Sequence, residues 1–284
     1  MRVSTYIKKW FPLFALPTFA AFALAFLVPF GMGLFLSFTK FRTVNDAQWV
    51  GVQNYVTAFT ENDDFLHAMG FTVAFTVVSV VLVNVVGFAF ALLLTRAIKG
   101  TNIFRAVFFL PNLIGGIILG YIWQLLINAV LGQLFEQDLT YDSAYGFWGL
   151  VVVVNWQMIG YMMIIYIAAI QNIPGEIVEA AEIDAAGFWK KLFYVTIPMV
   201  AASITICTFL TMANCLKLFD QNLALTAGAP QNETEMMALN IYRTFYNIRN
   251  HQGVGQAKAV VFFVFVAIIA FLQLRFTRSK EVDE

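Results

Sequence analysis

"GFTVAFTVVSVVLVNVVGFAFALLLT", residues 70–95, contains no charged side chain and is rich in valine, phenylalanine and leucine. A helix needs about 20 mostly apolar residues to cross the hydrocarbon core of a bilayer, so this run predicts a transmembrane helix. The whole chain has the same character, because 60% of its 284 residues are hydrophobic and 12% are charged. Soluble domains carry about 25% charged residues. The sequence therefore predicts an integral membrane protein.

Five other apolar runs of similar length predict further spans. We expect an all-α, polytopic membrane protein with six transmembrane helices in a single membrane domain over residues 1–284. The first run contains Pro12, Pro17 and Pro29 and is too long for a signal peptide, so it is expected to remain as a span. The six runs cover residues 12–38, 70–95, 105–130, 147–171, 195–218 and 256–276.

Lysine and arginine flank these spans unevenly, and cytoplasmic flanks carry the excess. One side has eleven: Arg2, Lys8, Lys9, Arg96, Lys99, Arg105, Lys190, Lys191, Arg275, Arg278 and Lys280. The other side has six: Lys40, Arg42, Lys217, Arg243, Arg249 and Lys258. We therefore expect both termini in the cytoplasm and place the acid-bearing loops 39–67 and 219–254 outside.

Charge and cysteine content exclude some classes of function. The net charge is zero, with 17 basic and 17 acidic residues, so no basic surface indicates a nucleic-acid partner. Cys207 and Cys215 lie eight residues apart in one apolar run, about 12 Å of helix rise, which is too far for a direct disulfide. Both are expected to be packing residues.

One cytoplasmic stretch differs from the apolar remainder. "EIVEAAEIDAAGFWKKLFYVTIP", residues 176–198, has its acids early and two lysines late, which suits the dipole of a helix that opens near Pro174. We expect a helix over about residues 174–190, with Gly187 ending its first part. Four aromatic residues then lead back to the membrane. On spacing alone, the segment could equally be an interfacial anchor for the loop.

The same stretch resembles the cytoplasmic signature of importer permeases of the ATP-binding cassette superfamily. That pattern runs Glu-Ala-Ala, two residues, Asp-Gly-Ala, and later Ile-x-Leu-Pro; Ala185 stands here where glycine is usual. The resemblance implies a coupling helix that docks on a separate ATPase. The coupling residues that it implies are Glu179, Ala180, Ala181, Asp184, Ala185 and Gly187.

Further stretches resemble the carbohydrate uptake branch of these permeases, that of oligosaccharide, glycerol phosphate and maltose importers, over about residues 50–275. They include "FRAVFFLPNLIGG" (104–116), "NWQMIGYMMIIYIAAIQNIPGEIVEAA" (155–181) and "LFDQNLALTAGAP" (218–230). The resemblance implies a type I importer permease fold in a bacterial or archaeal cell membrane. It also implies half of a sugar translocation pathway, with four kinds of partner: a second permease subunit, two ATPase subunits, a solute-binding protein and an oligosaccharide.

The chain is not expected to be an enzyme or to bind a cofactor. It contains no phosphate-binding loop of the form G-x-x-x-x-G-K-[ST], so ATP and magnesium are expected on the ATPase partners. His67 and His251 fall in outer loops and no acid lies deep in a span, which argues against a metal site and against proton-coupled secondary transport. The alternatives are a permease for another small solute and, less favoured, a secondary transporter or a non-transporting scaffold.

Polar and aromatic residues in the fourth and fifth spans are candidates for the substrate pathway, because sugar hydroxyls need amide and hydroxyl partners and a pyranose ring stacks on an aromatic face. For any one of them, an ordinary interhelical hydrogen bond is the competing interpretation. Tyr161 and Thr211 also fall on substrate positions implied by the resemblance, and Tyr161 is the first choice. The candidates are Trp156, Gln157, Tyr161, Thr211, Asn214 and Cys215.

Overall fold

The computed structural model describes residues 2–60, 64–96 and 99–278. These residues form an almost wholly helical protein, which confirms the all-α expectation. The helices are α1 (Arg2–Phe22), α2 (Val28–Leu36), α3 (Gln53–Thr60), α4 (Asp64–Leu94), α5 (Thr101–Phe109), α6 (Gly116–Phe135), α7 (Ser143–Gln171), α8 (Gly175–Ile183), α9 (Phe188–Lys191), α10 (Ile197–Met199), α11 (Ala201–Leu216), α12 (Asp220–Leu225), α13 (Met237–Tyr246) and α14 (Gln252–Arg278).

Six segments are long and apolar enough to span a bilayer, if one bent pair counts as a single span. The five unbroken spans are Leu13–Leu36, Asp64–Leu94, Gly116–Phe135, Ser143–Gln171 and Gln252–Arg275. The sixth joins Phe188–Met199 to Ala201–Leu216 through a bend of 71°. The prediction of six spans is confirmed on this count.

The predicted start of the third span, given as residues 105–130, was wrong. Helix α5 ends at Phe109, a 3-10 turn follows over Leu110–Leu113, and Ile114 is extended before α6 begins at Gly116. Pro111 has no backbone N–H to continue the α-helical ladder, which explains why the helix breaks there. The span itself extends to Phe135, further than expected.

The fifth span, predicted over residues 195–218, is bent. Residues Leu192–Thr196 form a π-helical turn, Pro198 follows, and Val200 leaves helical geometry at the bend. A π-turn and a proline both interrupt the regular hydrogen-bond ladder, and these are the usual causes of sharp helix kinks.

The chain divides into two compact units, and the smaller contains residues 2–60 and 241–262. Two short antiparallel strands, β1 (Thr39–Lys40) and β2 (Gln48–Trp49), form a hairpin after the first span. The Asn54 amide donates to the carbonyl oxygens of Ser37 and Thr39, each at 2.8 Å. Hydrogen bonds from the backbone of Arg42 lower the pKa of the Asp46 carboxyl in the hairpin.

The larger unit, residues 64–240 with 263–278, is organised around α7. This helix packs against α4, α5, α6, α11 and α12, and buries Met162 and Met163 completely. The hydroxyl of Tyr166 donates to Asn84 Oδ1 of α4 at 2.7 Å. Cys207 and Cys215 are free and buried in this core, which confirms that they are packing residues.

Candidate functional site: a polar cavity and an exposed helix

A cavity of about 550 Å³ opens beside the middle of α7. Its walls come from α7, from the 3-10 turn that precedes α6, and from the connection between α11 and α12. Most of its lining is polar. The lining residues are Asn112, Val154, Gln157, Met158, Tyr161, Asn214, Lys217, Leu218, Phe219, Asp220 and Gln221.

Gln157 joins three parts of the cavity wall. Its Nε2 donates to the carbonyl oxygen of Ile114 at 2.9 Å, where α6 is about to begin. Its Oε1 accepts from Nε2 of Gln221 in α12 at 2.7 Å. The side chain therefore pairs with a backbone carbonyl of the link between α5 and α6 and holds α12 against α7.

Glycines in α6 allow α12 to approach closely. A Cβ on Gly116 would lie 2.7 Å from Cβ of Asp220, and one on Gly120 would lie 2.6 Å from Cβ of Ala224. Both distances are shorter than real Cβ contacts, so these positions need glycine. Gln124, one turn further along α6, donates to the carbonyl oxygen of Leu225 at 2.9 Å. Close approach at small residues with a few hydrogen bonds is the usual means of helix association in membranes.

Hydrogen bonds of Asn222 in α12 hold the connection that follows this helix. The amide of Asn222 donates to the carbonyl oxygen of Thr234 at 2.7 Å, and its Oδ1 accepts from the backbone N–H of Met236 at 2.9 Å. Glu235 is only 2% exposed and accepts from Asn240 Nδ2 at 2.8 Å. Between residues 226 and 236 of this connection, residues 231–233 form the exposed run.

The segment that contains the Glu-Ala-Ala motif forms two helices, α8 and α9, where one was expected over residues 174–190. Helix α8 starts next to Pro174, as predicted, but it ends at Ile183. Ala185 then adopts φ +52°, its N–H donates to the carbonyl oxygen of Glu182, and the N–H of Ala186 donates to that of Ala181, both at 3.0 Å. This is a Schellman motif.

The residue that ends α8 is therefore Ala185, and the expectation that Gly187 does so was wrong. Gly187 has φ −64° and ψ 166°, extended geometry that any residue adopts, and it caps the start of α9. Ala185 occupies the left-handed conformation that glycine adopts without a steric penalty. This explains physically why the resembling permeases usually have glycine at that position.

Helix α8 buries none of its residues against the rest of the described chain. Glu179, Ala180, Asp184, Ala185 and Gly187 are exposed and Ala181 is half-buried. An ion pair lies at this segment, between Lys191 Nζ and Glu182 Oε1 at 2.6 Å. All six proposed coupling residues thus lie together on a segment that is open to another protein.

Residues 99–282 match the family described as "Binding-protein-dependent transport system inner membrane component". The chain belongs to this family. The permease is 42% identical to the "Probable starch degradation products transport system permease protein AmyD" of Thermoanaerobacterium thermosulfurigenes, over 96% of each chain. It is 31% identical to the multiple sugar-binding transport system permease protein MsmF of Streptococcus mutans, over 90% of this chain and 91% of that one.

The fold of the permease also matches a solved structure. The crystal structure of a bacterial ABC transporter involved in the import of the acidic polysaccharide alginate contains a chain that aligns with a TM-score of 0.81 at 19% identity, over 98% of this chain and 99% of that one. This similarity confirms the importer permease fold that the sequence predicted.

Three of the six substrate candidates of the permease line the cavity: Gln157, Tyr161 and Asn214. Trp156 instead packs edge-to-face on Trp123, with ring centroids 5.4 Å apart. Thr211 is fully buried and donates to the carbonyl oxygen of Cys207 at 2.8 Å, and Cys215 is fully buried. The structure does not bring these three residues to the cavity.

The sequence reasoning missed Asn112, Lys217, Asp220 and Gln221 in the cavity wall. The available signal was the polar cluster "KLFDQ", residues 217–221, which interrupts an apolar region. In the described parts of the permease, no group of three or more His, Cys, Asp or Glu side chains could hold a metal ion.

The Schellman turn gives a local test of the permease structure. Replacing Ala185 by glycine removes the steric penalty of the left-handed conformation, about 1–2 kcal/mol per residue. In this variant we expect slower hydrogen exchange at the backbone amides of residues 185 and 186. Gly187→Ala is the matched control, because nothing lies within 4 Å of a Cβ built there, and it should leave exchange unchanged. Faster exchange in Ala185→Gly would contradict the assignment.

Proposed function

We propose that this chain is the membrane-spanning permease subunit of an ATP-driven, binding-protein-dependent importer of oligosaccharides. The observation that carries the proposal is the cavity beside α7, where amide side chains and one tyrosine converge. Such groups donate and accept hydrogen bonds on a ligand that carries many hydroxyls. The names of the relatives AmyD and MsmF, which refer to starch degradation products and to multiple sugars, support the same substrate class.

The charges in the cavity wall favour a neutral ligand. Among the described residues that line it, Lys217 and Asp220 are the charged ones, and their charges cancel. A pathway for an anion would carry an excess of basic side chains. An uncharged oligosaccharide therefore fits this lining better than an acidic one.

Coupling to ATP is assigned to α8. Its exposed acids, Glu179 and Asp184, can form charge-assisted hydrogen bonds with a partner, and its alanines permit close approach. We propose that two ATPase subunits hold ATP and magnesium and move α8 when they close, which tilts the spans between inward-facing and outward-facing states. The flanking basic residues support placement of α8 and both termini in the cytoplasm.

Reconstitution tests the proposed function. We would co-express the chain with a second permease subunit, the ATPase and the binding protein, and reconstitute the complex in liposomes. Maltooligosaccharide uptake should occur only when ATP is present on the side of the membrane where α8 lies. The chain alone should not transport, because it supplies half of the pathway. Robust uptake by the lone chain driven by a proton gradient would instead indicate a secondary transporter.

Tyr161 provides a test of the cavity itself. Tyr161→Phe removes one neutral hydrogen bond, which contributes about 0.5–1.5 kcal/mol. Because of this loss, we expect the sugar concentration for half-maximal uptake to rise roughly 2- to 10-fold. Tyr161→Ala also removes the aromatic face and should have a larger effect. Trp156→Phe, which lies outside the cavity wall, is the control. An equal response of Trp156→Phe and Tyr161→Phe would contradict a specific role for the cavity.

The exposed residues 231–233 provide a test of binding-protein docking. Interfaces of this kind are polar and hydrated, and a reversed rim charge mainly changes the rate of association. We expect Glu233→Lys to alter the salt dependence of binding-protein-stimulated ATPase activity, measured on the reconstituted complex. A point substitution is preferable to deletion because Thr234 and Glu235 are buried. Unchanged stimulation at every salt concentration would exclude this run from the docking surface.

A further inference from the structure

A group of exposed aromatic rings follows the coupling helix. Phe188, Trp189, Phe193 and Tyr194 are 49%, 67%, 57% and 81% exposed. The ring of Trp189 lies edge-to-face against Phe188, with centroids 5.2 Å apart, and is stacked with Phe193 at 6.1 Å and an interplanar angle of 18°. We call residues 188–194 the return segment. Its first three rings contact one another in series, and Tyr194, the next residue along the chain, is a fourth exposed aromatic residue.

Basic side chains outnumber acidic ones on and next to the return segment. Lys190 is exposed, Lys191 is paired with Glu182, and Cζ of Arg96 lies 5.6 Å from the centroid of the Phe188 ring. The acids of this region lie instead on α8 and at its end. The Schellman turn at Ala185 thus separates an acidic helix from an aromatic and basic one.

The return segment is continuous with a membrane span. Residues Phe188–Met199 and Ala201–Leu216 together are long and apolar enough to cross a bilayer. The aromatic rings therefore lie at the start of this span, where the chain enters the membrane. Tryptophan and tyrosine concentrate at the headgroup level of membranes, and basic residues there are attracted to anionic lipid.

We propose that the return segment is a lipid-contacting anchor that rests in the headgroup region, while α8 alone docks on the partner protein. This division goes beyond the proposed function, since it assigns the aromatic surface to the bilayer. The anchor fixes the distance of α8 from the membrane surface. Motion of the docked helix is then transmitted into the bent span through residues that are held at a constant depth.

Site-specific fluorescence tests this division in the assembled complex. Trp189→Cys and Ile183→Cys are each labelled with an environment-sensitive fluorophore, in nanodiscs of phosphatidylethanolamine and phosphatidylglycerol. Ile183 is 86% exposed on α8, which makes it the matched control. Cys207 and Cys215 are buried, and the unsubstituted complex measures any background labelling. Tyr194→Cys is a second position on the return segment.

Lipid carrying a headgroup nitroxide should quench the probes at 189 and 194 at least about threefold more than the probe at 183, since only interfacial residues lie at headgroup depth. Removal of the ATPase subunits should change emission at 183 and leave 189 and 194 unchanged. Probes at 189 and 194 that escape lipid quenching and respond to the ATPase would overturn the proposal and assign the return segment to the docking surface. A complex without sugar uptake that still shows lipid quenching would contradict the proposed function and leave this inference intact.

Discussion

Glu179→Lys and Ala181→Trp are each expected to abolish ATP-driven uptake while the six spans still insert. Both residues lie on α8, which buries none of its residues in the described chain. Span insertion depends on apolar runs and flanking basic residues, so neither change should prevent it. Truncating or reversing a charge at a docked, hydrogen-bonded interface costs about 2–5 kcal/mol, enough to release the ATPase or to uncouple it.

The measurement is sugar uptake together with co-purification of the ATPase subunits. Ala181 is half-buried, so Ala180→Trp, at the neighbouring exposed position, separates docking from local packing. Lys190→Ala is the control with little expected effect, because an exposed charge near anionic headgroups contributes only about 1 kcal/mol. Full uptake by both Glu179→Lys and Ala181→Trp would show that α8 does not couple transport to ATP.

Gly160→Ala is expected to destabilise the permease by about 3 kcal/mol, at the upper end of the cost of overpacking. A Cβ at Gly160 in α7 would overlap the carbonyl oxygen of Phe108 and lie 2.9 Å from the backbone nitrogen of Phe109. These are backbone atoms at the end of α5, so no side chain can rotate away. Helix α5 would have to separate from α7, close to the turn that lines the cavity.

Thermal unfolding of the purified complex in detergent checks this expectation. Gly70→Ala in α4 is the matched control, because nothing lies within 4 Å of a Cβ built there. Alanine is favoured over glycine inside a helix by about 0.5–1 kcal/mol, so the control should be neutral or slightly stabilising. Equal melting temperatures for Gly160→Ala and the unsubstituted complex would show that α5 and α7 are not packed as closely as described.

The cavity residues illustrate what residue type alone can predict. Thr211, Asn214 and Cys215 all lie on α11, and all three were plausible contacts by chemistry. Residues four apart share a helix face, and the structure turns Thr211 and Cys215 into the core while Asn214 lines the cavity. Sequence identified the right helices because polar residues in spans usually avoid lipid. It could not give the rotation of α11 about its axis.

The long-range contacts of the cavity had even weaker sequence signals. Gln157 meets Gln221 across 64 positions of sequence, and Gly116 meets Asp220 across more than a hundred. Neither pairing follows from local periodicity. The break at Pro111 and the left-handed Ala185 were not predicted either, although a proline and the usual glycine position are both local signals of an interrupted helix.

The sequence was sufficient to predict an all-α membrane protein with six spans, and its 176–198 segment indicated the type of permease. Charge-free runs of sufficient length have no other stable environment, since backbone polar groups in lipid must be satisfied within a helix. Tertiary structure alone decided which faces of these helices meet and where the cavity lies. In a bilayer both lipid and neighbouring helices are apolar, so hydrophobicity cannot distinguish a packed face from a lipid-facing one. Close approach at small residues and a few interhelical hydrogen bonds make that distinction.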